Sequence, residues 1–340
     1  MENRQYGRSG LRLSALSLGA MTMGEAHGFM KGVVSDDNES RRVLDAALDF
    51  GVHTVDTANV YSEGRSEELL GRWLQGKREK VTLLTKCRFA TRGTTGAMGP
   101  NETGASRASI IWNCEQSLKR LQTDFIDLYQ IHMQDGSVPV EETLRALDDL
   151  QKAGKIRYAG CSNYTSYRLT ESLWAADKRD LSRFEGIQLQ WSLVSRDAER
   201  EMVPAARAFG LGTLVWSPLG RGFLSGKYEK NAPPPAGSRL EAWKDSFAAV
   251  ATEQNWKTLE AVRAVARRHE TTPAAVSLAW LLGRSEISSI IVGARSLTQL
   301  QENLKALEVK LTPEDRKELD AASKPAWGYP YEFIGGREAW

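Results

Sequence analysis

Four residues of complementary chemistry stand out in the chain: Asp56, Tyr61, Lys86 and His132. Brought into one cavity, a carboxylate, a phenol, an ammonium and an imidazole make an acid–base device that needs no metal. A free tyrosine has a pKa of about 10 and is a poor proton-transfer group near neutrality. An adjacent ammonium stabilises the phenolate, so Lys86 is expected to lower the Tyr61 pKa. Asp56 is expected to hold that ammonium by a charged hydrogen bond and keep it aimed at the phenol. His132 is suited to donating to a carbonyl oxygen, orienting it or relaying its proton. Taken singly, each has a plainer explanation: a turn aspartate, a snorkelling lysine, a tyrosine packed on a rim. Their conjunction carries the chemical reading, and it requires a scaffold that brings all four together.

That scaffold is legible as an alternation of short apolar runs with longer segments of helical period. The runs are Leu16 to Gly19, His53 to Asp56, Val81 to Lys86, Phe125 to His132, Ile156 to Ser162, Gly186 to Trp191, Gly212 to Ser217 and Ser288 to Val292. Between them, Val43, Leu44, Ala47 and Leu48 follow a Ser35/Asp36 cap, and Leu69, Leu70, Trp73 and Leu74 follow Ser66. Ile110, Ile111, Cys114, Leu118 and Leu121 form a third stripe; Leu144, Leu147 and Leu150 form a fourth behind Pro139. Strands apolar on both faces and alternating with helices predict a parallel sheet covered by helices.

Eight such units favour an α/β fold of the (β/α)8 barrel type, one domain over 1–340, rather than an open doubly wound sheet. The latter needs a nucleotide fingerprint after its first strand. Gly220-Arg221-Gly222 with Gly226 has the wrong spacing and follows the seventh strand, so it reads as a loop. Arg4 to Leu13 reads as an N-terminal β-hairpin turning at Ser9-Gly10 and closing the barrel floor. Two extra helices, Gln254 to Arg268 and Pro273 to Leu282 behind Thr272, precede the eighth strand; a further helix, Pro313 to Ala322 behind Thr312, follows it. A C-terminal tail is expected over the barrel mouth. Reactive side chains of such barrels sit at the C-terminal strand ends. Asp56, Lys86 and His132 end the second, third and fourth strands, with Tyr61 just after the second, and strands roughly 4.8 Å apart let them converge.

Composition narrows the partners. The 340 residues are 41% hydrophobic and 26% charged, enough to bury a core. The formal charge is only +2 and the basic residues are dispersed, which disfavours nucleic acid while leaving room for one small anionic ligand. Cys87, Cys114 and Cys161 show neither C-x-x-C nor zinc spacing, as expected of a reducing compartment without structural metal. No apolar run reaches the eighteen or so residues of a membrane span, and the first ten residues are polar. A cytoplasmic protein, monomeric or weakly homo-oligomeric, with a small-molecule substrate, is expected.

The stretches Asp56-Thr57-Ala58-x-x-Tyr61, Leu84-Thr85-Lys86 and Leu128-Tyr129-Gln130-Ile131-His132 resemble the catalytic stretches of the aldo-keto reductase superfamily, in particular its bacterial-type members. The resemblance continues through Gly160-Cys161-Ser162-Asn163, Gln188 to Leu193, Trp216 to Gly222 and Gly293-Ala294-Arg295-Ser296, covering nearly the whole chain. It implies a nicotinamide whose carboxamide is held by Ser162, Asn163 and Gln188 and whose ring lies on Trp216, with Asp56 touching the ribose. An amide needs donors and acceptors, and its ring a flat apolar face. By the same resemblance Ser217, Leu219, Gly222 and Lys227 cradle the pyrophosphate, while Gly293, Arg295, Gln299 and Asn303 take the adenosine end. An arginine beside a helix N-terminus suits a 2′-phosphate, so NADP(H) is expected over NAD(H).

The implied activity is reversible reduction of an aldehyde or ketone, with Tyr61 as general acid, or as phenolate base in the oxidative direction. One alternative is a cofactor-binding, redox-sensing regulatory subunit with slow turnover; another is a lyase or isomerase using Lys86 as a Schiff-base nucleophile. Cys87 and Cys161 adjoin site residues and are expected to be packing thiols rather than redox sensors. Trp327, Tyr329, Tyr331, Phe333 and Trp340 of the tail, with Met23, Phe29 and Met133, are candidates either to line an apolar substrate pocket or to fasten the C-terminus.

Overall fold

The computed structural model describes residues 1–24, 33–91 and 99–335. Phe29 and Trp340 lie outside the described residues. Two short strands, β1 (Asn3–Gln5) and β2 (Arg12–Ser14), pair antiparallel as the expected hairpin. Eight more follow: β3 (Leu16–Gly19), β4 (Thr54–Asp56), β5 (Thr82–Cys87), β6 (Ile126–Ile131), β7 (Ile156–Ser162), β8 (Gly186–Gln190), β9 (Gly212–Trp216) and β10 (Ile287–Gly293). They form a closed barrel in sequence order, with β10 returning to pair with β3. Every neighbouring pair is parallel. The expected (β/α)8 barrel is the observed one, and the doubly wound alternative falls with its closure.

Two apolar layers hold it. Outside the strands, helix faces such as Val43, Leu44 and Ala47 of Asp37–Asp49 and Leu144 and Leu147 of Val140–Lys152 are buried against outward strand residues such as Leu16, Leu18 and Leu83. Inside, Leu84, Leu128, Leu214 and Ile291 form a separate cluster with Tyr6, Leu11 and Leu13 of the hairpin. The hairpin therefore plugs the floor. Tyr6 is fully buried, and it dictates the residues that begin β8 and β9: a Cβ on Gly186 or Gly212 would fall 2.3 or 2.2 Å from the tyrosine ring. Only glycine lets the ring approach the backbone so closely.

The caps follow the expected chemistry at most helices. Asp36 accepts from the Glu39 N–H at 2.9 Å, Thr272 caps Pro273–Leu282, and Thr312 forms a full capping box with Asp315. Ser66 is different. Its helix, Arg65–Trp73, starts from Gly64 at φ 89°, and the Ser66 hydroxyl instead donates to the Ala20 carbonyl at 2.8 Å, tying that helix to the end of β3.

The described part of the tail reaches the rim of the barrel. The Tyr331 hydroxyl donates to the Glu201 carboxylate in the loop beyond β8. Tyr329 and Phe333 are exposed, and Met23 is buried in the outer core. None of the described candidates Met23, Met133, Trp327, Tyr329, Tyr331 or Phe333 lines the cavity at the mouth, so the pocket role falls for them, while the Tyr331 contact is one that fastens the tail.

Candidate active site

A cavity of about 1830 Å3 opens at the C-terminal ends of the strands. Asp56, Tyr61 and His132 line it, and Lys86 lies fully buried just beneath. Strand ends place three of them: Asp56 closes β4, Lys86 is the penultimate residue of β5, and His132 follows β6, its N–H donating to the Cys87 carbonyl at 2.9 Å. Tyr61 opens a short 3-10 turn, Tyr61–Gly64, in which Ser62 and Glu63 take the left-handed conformation at φ 48° and 56°. Non-glycine residues held there cost about 1–2 kcal/mol each, so the turn must be pinned. Asn59 pins it: its N–H donates to the Lys86 carbonyl at 3.1 Å, and its side-chain amide donates to the Phe89 carbonyl at 2.7 Å and to Asn113 Oδ1 at 2.8 Å.

Lys86 Nζ donates to Asp56 Oδ2 at 2.6 Å, to the Thr57 carbonyl at 2.8 Å and to the Tyr61 hydroxyl at 3.4 Å. An ammonium has three protons, so its capacity is filled. Burial pushes the Lys86 pKa down, but Asp56 and Tyr61 more than offset it, leaving the amine above its ordinary 10.5. A lysine held charged is a poor Schiff-base nucleophile, which removes the support for that alternative. The Tyr61 phenol departs from expectation. Burial pushes its pKa up by more than Lys86 pulls it down, and it stays above 10.0. Tyr61 is thus a phenol at neutral pH, suited to giving a proton. Burial, Lys86 and Arg88 hold His132 well below its ordinary 6.5, so the imidazole is neutral. Its edge packs on Tyr61 and Phe89 at centroid distances of 5.7 and 5.0 Å, and its Nδ1 is buried without a partner.

The residues expected at the nicotinamide end join this cluster directly. Gln188 Nε2 donates to Asp56 Oδ1 at 2.9 Å, so Asp56 is gripped from both sides. Ser162 donates to the Gln188 carbonyl at 2.9 Å, and Asn163 Nδ2 donates to the His132 carbonyl at 2.8 Å and to Ser162 Oγ at 3.0 Å. Trp216 ends β9 on the cavity wall, its indole N–H buried and unpartnered. Ser217 accepts from the Arg221 N–H at 3.0 Å, shaping the loop that carries Leu219 and Gly222.

All twelve residues expected to hold a cofactor line this one cavity: Ser162, Asn163, Gln188, Trp216, Ser217, Leu219, Gly222, Lys227, Gly293, Arg295, Gln299 and Asn303. At the far end, Gln299 Oε1 accepts from the Arg295 N–H at 2.9 Å and Asn303 donates to the Gly293 carbonyl at 3.2 Å, so both fix the turn after β10. Arg239 was not anticipated, nor was Arg221 as a charge. With Lys227 and Arg295 they make four of the five cations on the wall, Lys244 being the fifth, and none of the four is in an ion pair among the described residues. Burial and the Arg295 and Arg221 charges bring the Arg239 guanidinium down to about 10, and burial with Arg295 and Arg239 lowers Lys227. Arg239 opens a single helical turn behind its Ser238 cap, too short for any sequence periodicity to announce it.

The three cysteines are buried and unpaired, and burial pushes the Cys87 thiol up to about 12, as expected of packing thiols. Among the described residues no cluster of three or more His, Cys, Asp or Glu could hold a metal, and no helix is long and apolar enough to cross a membrane.

A parallel eight-stranded barrel with a buried Lys–Asp–Tyr chain opening into a long cavity defines a class of barrel oxidoreductase. Residues 15–324 match the model of the Aldo/keto reductase family, and the chain belongs to that family. It is 38% identical to the uncharacterized oxidoreductase YrpG of Bacillus subtilis (strain 168), over 92% of this chain and 93% of that protein. It is 36% identical to a probable voltage-gated potassium channel subunit beta of Oryza sativa subsp. japonica, over 96% and 98% respectively. A putative aryl-alcohol dehydrogenase of Schizosaccharomyces pombe (strain 972 / ATCC 24843) is 34% identical, over 92% and 93%.

Proposed function

We propose that the protein is a cytoplasmic NADP(H)-dependent carbonyl reductase, reversibly reducing an aldehyde or ketone with Tyr61 as the proton donor. The observation that carries this is the chain Asp56–Lys86–Tyr61 opening into the same cavity as four unpaired cations. Such a charge excess suits a ligand bearing several phosphates. Arg239, Arg295, Lys227 and Arg221 would hold the phosphates, the 2′-phosphate included, and Ser162, Asn163 and Gln188 the carboxamide. When bound, the cofactor supplies the hydride to the carbonyl carbon, or accepts it in reverse.

The chain's own residues then handle the proton. A substrate carbonyl oxygen accepts from the Tyr61 hydroxyl, with the neutral His132 as a second donor fixing its position. As the carbon gains its hydride, the Tyr61 O–H bond breaks and the proton passes to the oxygen, leaving an alcohol and a phenolate. Lys86, already at 3.4 Å, meets that phenolate with a full positive charge. The lysine therefore matters most at the moment charge develops, which is where stabilisation accelerates the step. Asp56 and Gln188 keep it aimed.

Tyr61→Phe tests the assignment. Turnover, followed as loss of NADPH absorbance across aromatic, aliphatic, sugar and bulky carbonyl substrates, is expected to fall by about 10²–10⁴-fold, with the NADPH dissociation constant changed by less than about threefold. Normal turnover in that variant sinks the mechanism. The rice relative favours a second reading, an NADP(H)-binding regulatory subunit. Tight NADPH binding by the wild type without turnover on any of those substrates would support it.

A further inference from the structure

The cavity is electrically lopsided, and its reacting end points to a substrate class. Next to Tyr61, on the same turn, Glu63 lines the cavity and is half-buried. No hydrogen bond or ion pair among the described residues engages its carboxylate, although three described cations near the turn are paired. Arg65 pairs with Glu68 at 2.7 Å, Arg120 with Glu67 at 2.8 Å, and Lys86 with Asp56. Glu63 is held facing the cavity at φ 56°, a conformation glutamate does not favour, so its place is imposed by the fold around Asn59.

Its neighbours on the wall add acceptors rather than cations. The hydroxyls of Ser62 and Thr22 are buried and unpartnered, and both residues line the cavity. Met21, Val60 and Phe89 supply the apolar surface. Arg88 is not part of the wall, its guanidinium lying 5.2 Å from the Phe89 ring centroid, and its charge bears on His132. The cavity's free cations gather instead at the cofactor end. Glu302 lies among them, and it bears on Lys227 rather than on Tyr61. Lys244 and Asp245, adjacent in sequence, contribute one charge of each sign.

We propose that Glu63 selects the substrate: a carbonyl compound with an apolar or aromatic body that carries a cationic or hydrogen-bond-donating group, in preference to one carrying a carboxylate. This rests on the carbonyl-reductase reading of the same site. A half-buried, unpaired carboxylate loses part of its hydration with no compensating partner, and an incoming cation restores the balance where an anion worsens it. The charge thus acts as a filter beside the proton donor, attracting one class and rejecting its opposite.

Three benzaldehydes with para substituents test this: trimethylammonio, tert-butyl as its neutral isostere, and carboxylate. The readout is the ratio of kcat/KM for the cation to that for the anion within each protein, compared between wild type, Glu63→Gln and Glu63→Lys. Comparing ratios cancels the intrinsic reactivity of each aldehyde and any general loss of turnover. The ratio is expected to drop about five- to tenfold in Glu63→Gln and further in Glu63→Lys, with the wild-type ratio shrinking as salt rises. A ratio unchanged within about twofold by both substitutions overturns the proposal. Should no aldehyde be reduced by any of the three proteins, the reductase reading has failed separately. Calorimetry of the NADPH-bound protein with the inert probes phenyltrimethylammonium and benzoate then decides selectivity. Tighter binding of the cation by wild type than by Glu63→Gln sustains it, while equal or undetectable binding refutes it.

Discussion

The two ends of the cavity solve the problem of buried charge in opposite ways. At the reacting end the catalytic ions satisfy one another: Asp56 accepts from Lys86 and Gln188, and Lys86 spends all three protons on Asp56, Thr57 and Tyr61. At the far end Arg221, Lys227, Arg239 and Arg295 repel one another, and burial together with that repulsion depresses the Arg239 and Lys227 pKa values. The catalytic chain of the first end, though not Glu63 on the wall beside it, is finished before any ligand arrives, as a device that must stabilise charge without reorganising has to be. The second is unfinished, and its strain is relieved only by an anion. Catalysis is built in here, and affinity is left to the ligand.

The sharpest way to break this contrast is to spoil the finished end. Lys86→Met leaves Asp56 buried with only Gln188 for company, and breaking a buried pair by removing one partner costs about 3–5 kcal/mol. Chemical denaturation should show a loss of that size, together with turnover no higher than that of Tyr61→Phe. The double variant Asp56→Asn with Lys86→Met should regain much of the stability and none of the turnover. A Lys86→Met protein as stable as wild type would mean the pair is not as dry as its geometry indicates.

The unfinished end should respond in binding rather than in stability. Removing one cation from a mutually repelling set relieves the empty protein while weakening its hold on phosphate. Arg239→Ala and Arg295→Ala are each expected to raise the NADPH dissociation constant about 10–100-fold, in line with about 1.5–3 kcal/mol for a charge-assisted hydrogen bond. Binding of NADH, measured in parallel by fluorescence, should weaken less if these arginines read the 2′-phosphate. Equal losses for both cofactors would move them to the pyrophosphate.

How much of this was legible beforehand follows the same division. The eight strands were readable because each is a short apolar run, and the finished site because its residues end those runs: Asp56, Lys86 and His132 need only strand-end placement to meet. The direction of the Tyr61 shift was not readable. Whether Lys86 or burial wins depends on how much water the closed barrel excludes, a property of the packed whole. Arg239 was missed because it sits in a loop-rich stretch beyond Pro233-Pro234-Pro235, where no periodicity says which way a side chain turns. The described tail aromatics, Trp327, Tyr329, Tyr331 and Phe333, are not pocket residues for the same reason, while Met21, Val60 and Phe89, close to strand ends, took that place.

The smallest effect concerns His132, the imidazole of the finished end, held neutral by its surroundings. In the unfolded chain it titrates near 6.5; in the folded protein burial, Lys86 and Arg88 hold it well below that. Below pH 6.5 the unfolded state therefore binds a proton that the folded state refuses, and stability falls as pH drops. This group alone contributes a slope of up to about 1.4 kcal/mol per pH unit. His132→Asn removes the titration, so its stability between about pH 6.5 and 5 should decline less steeply than that of wild type in parallel denaturation curves. The same window separates the two ends of the cavity. Arg239 titrates only near 10 and keeps its charge throughout it, whereas a 2′-phosphate gains a proton at about pH 6, so any loss of NADPH affinity there comes from the ligand and not from this guanidinium. If His132→Asn retained the wild-type slope, the imidazole would titrate alike in the folded and unfolded protein, and burial beside Lys86 and Arg88 would not be holding it neutral.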